Sequence, residues 1–286
     1  MTVLGIYLSS TDIILFAVNA LVATSLYLTM IVGVFSLGQV AFMAIGAYGF
    51  AYTTTALGWA PWLSMVAGAL AALAAALLTS PILRVSGIYL GILTIALIYV
   101  MQYAVGATEA LGQVSGLYGP LLTEATPAWI ILVFALAVLV VVMRLPLGMA
   151  MRAIGEDDTL ARSVGVFSPG VKVVAFAIGG LLAGLAGAIN SYSSGYTAPA
   201  LYGVGRAIEI VLYAVVGGFS APINPAVGAV VLTLLGIILR RFNEWGIIIS
   251  GLLVLVLIVL RPKGLLVGLG RPLTRRLDVL RRAVVK

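Results

Sequence analysis

The 286-residue chain is 63% apolar and 9% charged, against about 45–50% and about 25% in soluble domains, which excludes an ordinary water-soluble globule. With no cysteine and no histidine it has no disulfide, thiolate metal site or cysteine nucleophile, and it lacks the usual general base. Its net charge of +7 is, on a membrane protein, a sign of the face turned to the cytoplasm and its anionic leaflet rather than of nucleic acid.

Apolar runs follow one another along the chain at about 13–34, 38–58, 62–80, 87–106, 128–143, 173–189, 207–220, 223–239 and 245–260. At roughly 20 residues per crossing these are nine expected transmembrane helices, an all-α polytopic bundle in a membrane domain spanning 1–260. Their separators are helix breakers: Gly58 with Pro61, Pro81, Pro127, Pro146, Pro199, and Pro222 with Pro225. The stretch 207–239 stays open between two crossings and a re-entrant pair. Nine crossings place the termini on opposite sides. Putting the carboxyl end in the cytoplasm gathers thirteen of the sixteen basic residues there and leaves Arg206, Arg240 and Arg241 outside. The amino terminus, outside, has no basic run of the signal-peptide kind, so the first helix is expected to be retained.

Two glycine patterns, Gly180-x-x-x-Gly184 with Gly187, and Gly87-x-x-x-Gly91, put small residues on one helix face and predict close helix packing. Ser36 through Gln39, and Gly217 through Pro225 with Asn224, interrupt the helical pattern at membrane depth. They read either as a solute path or as turns between helices. Glu209 is an acid within an apolar run; Arg206, three residues earlier, would neutralise it if it has no functional part. Gln102, Asn190 and Tyr213 are polar groups in or at the ends of apolar runs, suited to interhelical hydrogen bonds or to lining a path.

The longest internal polar stretch, 144–172, contains an expected helix over 150–164. Ala150, Ile154, Ala161 and Val164 lie along one side, and Arg152, Glu156, Asp157, Asp158 and Arg162 cover the remainder. Gly165 stands where a C-terminal cap belongs, and Ser168-Pro169-Gly170 predicts a turn. Such a tethered amphipathic helix suits docking to another protein, or else lies solvated at the lipid surface. The tail 261–286 carries eight basic residues and one acid, the whole net charge, with Leu273, Leu277, Leu280 and Val284 at helical spacing, as expected of an anchor on an anionic leaflet.

These residues resemble a known family. The loop is similar to the ATPase-contacting loop of the permease subunits of branched-chain amino-acid ABC transporters, G-R-A-L-R-A-I-R-E-D-E-I-A-A-x-A-L-G-I. Gly148, Ala150, Arg152, Ala153, Ile154, Glu156, Asp157, Ala161 and Gly165 fall on matching positions, while Met149 and Gly155 stand where that family usually has arginine. FSLGQVAFMAIGAY (35–48) resembles its S-L-G-H-A-A-F-x-G-I-G-A-Y with Gln39 for histidine. GIYLGILTIA (87–96, with Thr94), AFAIGGLLAGLAGAI (175–189), VVGGFSAPINPAVGA (215–229) and LRPKGLLVG (260–268) resemble further segments in order.

The resemblance implies an ABC importer permease of the bacterial inner membrane, forming half of the pathway for a small solute. Branched-chain or other hydrophobic amino acids are the first expectation, with urea, short amides and other amino acids as alternatives. It implies Arg152, Ile154, Glu156, Asp157, Asp158, Arg162 and Gly165 as ATPase-coupling residues. Ser36, Gln39, Thr94, Gln102, Asn190, Glu209, Tyr213 and Asn224 are the expected path residues. The implied partners are a homologous second permease or a second copy, two cytoplasmic ATPases, an extracytoplasmic solute-binding protein and the bilayer, with no nucleic acid. No G-x-x-x-x-G-K-[ST] occurs, so no catalytic residue, metal or cofactor is expected in this chain and ATP is expected on its partners. The competing classes are an ion-gradient carrier using Glu209, disfavoured by the lack of internal repeats, and a membrane scaffold.

Overall fold

A computed structural model describes residues 2–3, 6–7, 9–85, 87–121, 124–239, 251–252 and 255–256. The helices are α1 (Ser10–Ile31), α2 (Gln39–Thr55), α3 (Pro61–Thr79), α4 (Ile88–Ala107), α5 (Thr126–Val142), α6 (Pro146–Glu156), α7 (Asp158–Ser163), α8 (Ser168–Ser194), α9 (Val204–Gly217) and α10 (Asn224–Leu239). Short antiparallel pairs join β1 (Thr2–Val3) to β2 (Ile6–Tyr7) and β3 (Leu117–Tyr118) to β4 (Tyr196–Thr197). Eight of the nine predicted runs coincide with helices; the run at 245–260 and the tail 261–286 lie outside the described residues, save four positions.

α1 begins on a capping box: the Ser9 hydroxyl accepts from Asp12 N at 3.2 Å, and the Asp12 carboxylate accepts from Ser9 N at 3.2 Å. From there α1 runs through the centre of the bundle, 83% of its apolar window buried, against 22% for α3. The difference arises because α1 is packed by α8, α10, α9 and α5, whereas α3 leaves Leu70, Leu77 and Leu78 outward. α1, α3 with its 3-10 extension to Arg84, α4 and α8 are each long and apolar enough to cross a bilayer. α5 and α6 meet the same test only as a pair bent by 77°. Pro146, in the first turn of α6, permits that corner because its missing N–H is unneeded there.

The core is a seam of small residues. A Cβ on Gly187 would overlap the Met43 carbonyl, one on Gly46 the backbone of Gly184, and one on Gly68 the Gly46 carbonyl. α2, α3 and α8 therefore touch backbone to backbone, as the Gly180, Gly184 and Gly187 spacing predicts. The second glycine pair does otherwise. Gly87 precedes α4 at φ +68°, with open space around its Cβ position, and Gly91 faces the Phe35 ring, which a Cβ would approach to 3.1 Å. Gly87 thus serves a left-handed turn that other residues adopt at a cost, rather than a helix contact.

α9 and α10 have 14 and 16 residues, about 21 and 24 Å at 1.5 Å per residue, short of a hydrocarbon core of about 30 Å. They fold back on each other through 218–223, where Gly218 has φ +88° and Asn224 Nδ2 donates to Ser220 Oγ at 2.7 Å. A Cβ on Gly217 would overlap the Asn224 carbonyl.

Candidate functional site

At one end of the bundle α6 crosses the end of α1. Met151 and Ile154 are buried with Tyr27, Leu28 and Val32, and a Cβ on Gly155 would overlap the Ile31 carbonyl. The glycine where the family resemblance expects arginine is thus a backbone contact. Ile154, expected to touch an ATPase, is 3% exposed and anchors the loop to its own bundle instead.

The single helix expected over 150–164 is two. Asp157 is extended (φ −156°, ψ 110°), and its Oδ1 accepts from Thr159 N at 2.8 Å and Leu160 N at 3.0 Å, so it ends α6 and caps α7. An aspartate in mid-run binds the backbone in a non-helical conformation at no loss of periodicity, which hides the break from pattern reading. α7 closes on Gly165 (φ +89°): Gly165 N donates to Arg162 O at 3.0 Å and Val166 N to Ala161 O at 3.1 Å, the predicted cap. The turn expected at Ser168-Pro169-Gly170 is instead the first turn of α8, a position proline favours.

Asp158 pairs with Arg162 at 2.9 Å and with Lys172 at 3.0 Å, pinning α7 to α8. The Ser168 hydroxyl first, then Lys172 and Arg162, hold its carboxyl at about 2 against an ordinary 3.8. A depressed carboxyl stabilises the fold above its ordinary value, so this clamp is intact at neutral pH and is lost as pH falls through about 2. Arg152, Glu156, Asp157, Arg162 and Gly165 are exposed. So are three large apolar residues of the same segment, Leu160 (64%) in α7, Val164 (78%) at its end and Phe167 (74%) just before α8. Val164, expected along one side with the buried Ala161, faces out because α7 ends at Ser163 and Val164 is its C-terminal cap. Leu160 and Phe167 were not singled out by the sequence, although each is a large apolar residue in a polar stretch.

Midway along the bundle the chain between α1 and α2 is irregular. Ser36 and Gln39 are buried there with Thr94 of α4. Thr94 Oγ1 accepts from Leu37 N at 3.0 Å and donates to Gly91 O at 2.9 Å, while Ser36 Oγ accepts from Gly38 N at 3.2 Å. A Cβ on Gly179, eleven residues or about 17 Å into α8, would lie 3.4 Å from Gln39 Nε2, so Gln39 sits at half depth. Neither amide atom of Gln39 has a hydrogen-bond partner among the described residues. It is packed beside Leu26, Ala207, Ile210 and Val211, which leave no room for a water molecule.

At the other end, where α1 and α9 begin and α10 ends, five polar side chains converge. Arg206 Nη1 donates to Glu209 Oε2 at 2.6 Å, and Arg206 Nη2 donates to Asn19 Oδ1. Asn19 Nδ2 donates to Thr233 Oγ1 at 2.8 Å and to Tyr213 Oη at 3.5 Å. They line a cavity of about 310 Å³. Glu209 and Tyr213 are expected path residues; Asn19 and Thr233 were missed, though a lone amide inside an apolar run is itself a signal. Gln102 and Asn190 lie elsewhere: Gln102 Nε2 donates to Pro199 O at 2.9 Å and Asn190 Nδ2 to Tyr202 Oη at 3.5 Å. Asn224 serves the α9–α10 turn. The eight path residues therefore fall into separate groups. Among the described residues, no group of three acidic side chains has the arrangement to hold a metal.

Comparison with known proteins adds the lineage. The chain is 29% identical over 280 residues to the high-affinity branched-chain amino acid transport system permease protein LivM of Escherichia coli (strain K12), covering 85% of this chain and 65% of that protein. The same values hold for LivM of Salmonella typhimurium. The chain thus spans about two thirds of the length of these relatives. Over 142 residues, 46% of the chain, it is 27% identical to the autoinducer 2 import system permease protein LsrC of Photorhabdus laumondii, of which 42% is covered. No solved structure matches it. Residues 10–260 match the family described as the permease component of the branched-chain amino acid transport system, and the chain belongs to that family.

Proposed function

We propose that the chain is half of the membrane pore of an ATP-driven importer of a small solute, with a second permease subunit or a second copy as the other half. Two ATPase subunits dock on the α6–α7 loop and an extracytoplasmic binding protein delivers solute to the opposite end. The loop lies in the cytoplasm, the amino terminus outside, and the chain binds no ATP itself. The basic tail, outside the described residues, anchors on the inner leaflet. The observation that carries this reading is the exposure of Leu160, Val164 and Phe167 together with Glu156, Asp157 and Arg162, on a loop braced against α1 and α8. Large exposed apolar residues among charges mark a docking surface, and the bracing passes movement of a bound partner into the bundle.

The solute is an aliphatic amino acid, a reading supported by the likeness to LivM, whereas the name of LsrC refers to a different solute. A carrier coupled through Glu209 is less well supported, because Arg206 neutralises that carboxylate and the side chain is 54% exposed. Uptake that survives an uncoupler but stops without internal ATP is expected; the reverse sinks the importer reading. For the loop, the pairs E156K/D157K and L160D/F167D should each cut ATPase co-purification by about tenfold or more, as loss of central interface contacts does, with the membrane fold intact. Undiminished recovery would show that the loop is only a connection.

A further inference from the structure

We infer that the cavity between α1, α9 and α10 is a seat for an aliphatic zwitterion, in which the solute's carboxylate takes the Arg206 guanidinium and its ammonium takes Glu209. The inference rests on the importer reading and assigns its solute class to named side chains.

The cavity's lining is of two chemical kinds: polar Asn19, Arg206, Glu209, Tyr213 and Thr233, and apolar Leu15, Leu212, Leu232, Leu235 and Ile237. Its volume of about 310 Å³ is at the small end of ligand pockets, which run from about 300 to 1,000 Å³. Asn19 is buried, and it holds the guanidinium with its carbonyl oxygen while its amide nitrogen donates to Thr233, so the arginine is aimed by a partner on another helix. A cation and an anion one helical turn apart need not stand at the edge of an open space if they serve packing alone; apolar residues of the same size would fill it as well.

The charges select the ligand. A guanidinium receives a carboxylate through two parallel N–H donors, and a carboxylate receives an ammonium. A zwitterion entering the Arg206–Glu209 pair makes an alternating set of four charges, and the net charge of the site does not change. A simple cation or anion can pair with only one of the two side chains and leaves the other without its counter-charge. A neutral polyol cannot replace the ion pair it must part. The leucine and isoleucine wall then receives the aliphatic tail.

The test uses proteoliposomes holding the assembled transporter, with saturating liganded binding protein and internal ATP, and reads initial uptake of leucine, valine and alanine. R206Q/E209Q keeps the cavity's shape and removes both charges. It should lower uptake of all three by at least about tenfold, as expected when charge-assisted bonds are lost, with ATPase recovery unchanged; wild-type uptake in this variant overturns the inference. L15F reduces the space lined by apolar side chains. It should reduce leucine uptake several-fold relative to alanine, whereas an equal change for both overturns the inference, because a merely structural role does not sense tail length. A wild-type transporter that accumulates another solute with ATP but none of these three leaves the importer reading standing and overturns the site.

Discussion

Between α2 and α8 two backbones meet with no side chain between them, while α9 and α10, which also touch backbone to backbone at Gly217 and Gly228, border with α1 a cavity lined by five polar groups. Both arrangements join helices where water offers no help. In the first, contact is dispersion at the closest approach two backbones allow, and any added atom must overlap a carbonyl. Around the cavity, Asn19 ties α1 to α9 and α10 through hydrogen bonds with Arg206, Tyr213 and Thr233, and the Arg206–Glu209 ion pair lies within α9. The seam admits no added atom, whereas these polar groups adjoin open space. Gln39 stands at the boundary: it begins a seam helix, yet its buried amide lies beside α9 without a hydrogen-bond partner among the described residues.

The largest effect expected of any single change is at the seam. Gly187→Val should abolish recovery of monodisperse protein in size-exclusion chromatography, because overlap with the Met43 carbonyl exceeds ordinary overpacking, which costs about 1–3 kcal/mol. Recovery equal to wild type would break the contrast between the two regions. Gln39→Met should act in the opposite sense on fold and on function. Removing a buried amide without partners relieves a penalty of about 1–3 kcal/mol, so the thermal midpoint should hold or rise while solute uptake falls. A lowered midpoint together with full uptake would make Gln39 a packing residue and nothing more. The smallest effect belongs to Asp157→Ala. Loss of its cap on α7 should cost about 1 kcal/mol, seen as faster hydrogen exchange at Thr159 and Leu160 with the membrane helices unaltered.

The helices and the small-residue seam were legible because hydrophobic runs and a spacing of four report local geometry. Gly184 and Gly187 recur along α8, the first turned to α3 and the second to α2. Gly87 and Gly91 show the same spacing with a different outcome, since only one of the pair lies in a helix. In the loop, composition and the Gly165 cap were legible, while the break at Asp157 was not. The carboxylate that ends α6 competes with the helix for its own backbone, and no periodicity records the result. Of the polar cavity, Glu209 and Tyr213 were visible as exceptions within an apolar run. Asn19 and Thr233 join them from positions far along the chain, and nothing local marks that meeting.

By itself the amino-acid sequence determined that the chain dwells in a bilayer, where its helices begin and end to within a few residues, and which family it belongs to. The first two follow from burial of apolar surface and from breakers, which act over a turn or two of chain, and the third from the resemblance of whole motifs. Only the tertiary structure decided which side chains share a space. It turned Ile154 inward and Val164 outward, left the buried Gln39 amide without a hydrogen-bond partner among the described residues, and brought Asn19 to Arg206 across the bundle. Such choices depend on how helices rest against one another, and that is set by distant residues acting together rather than by any stretch of sequence.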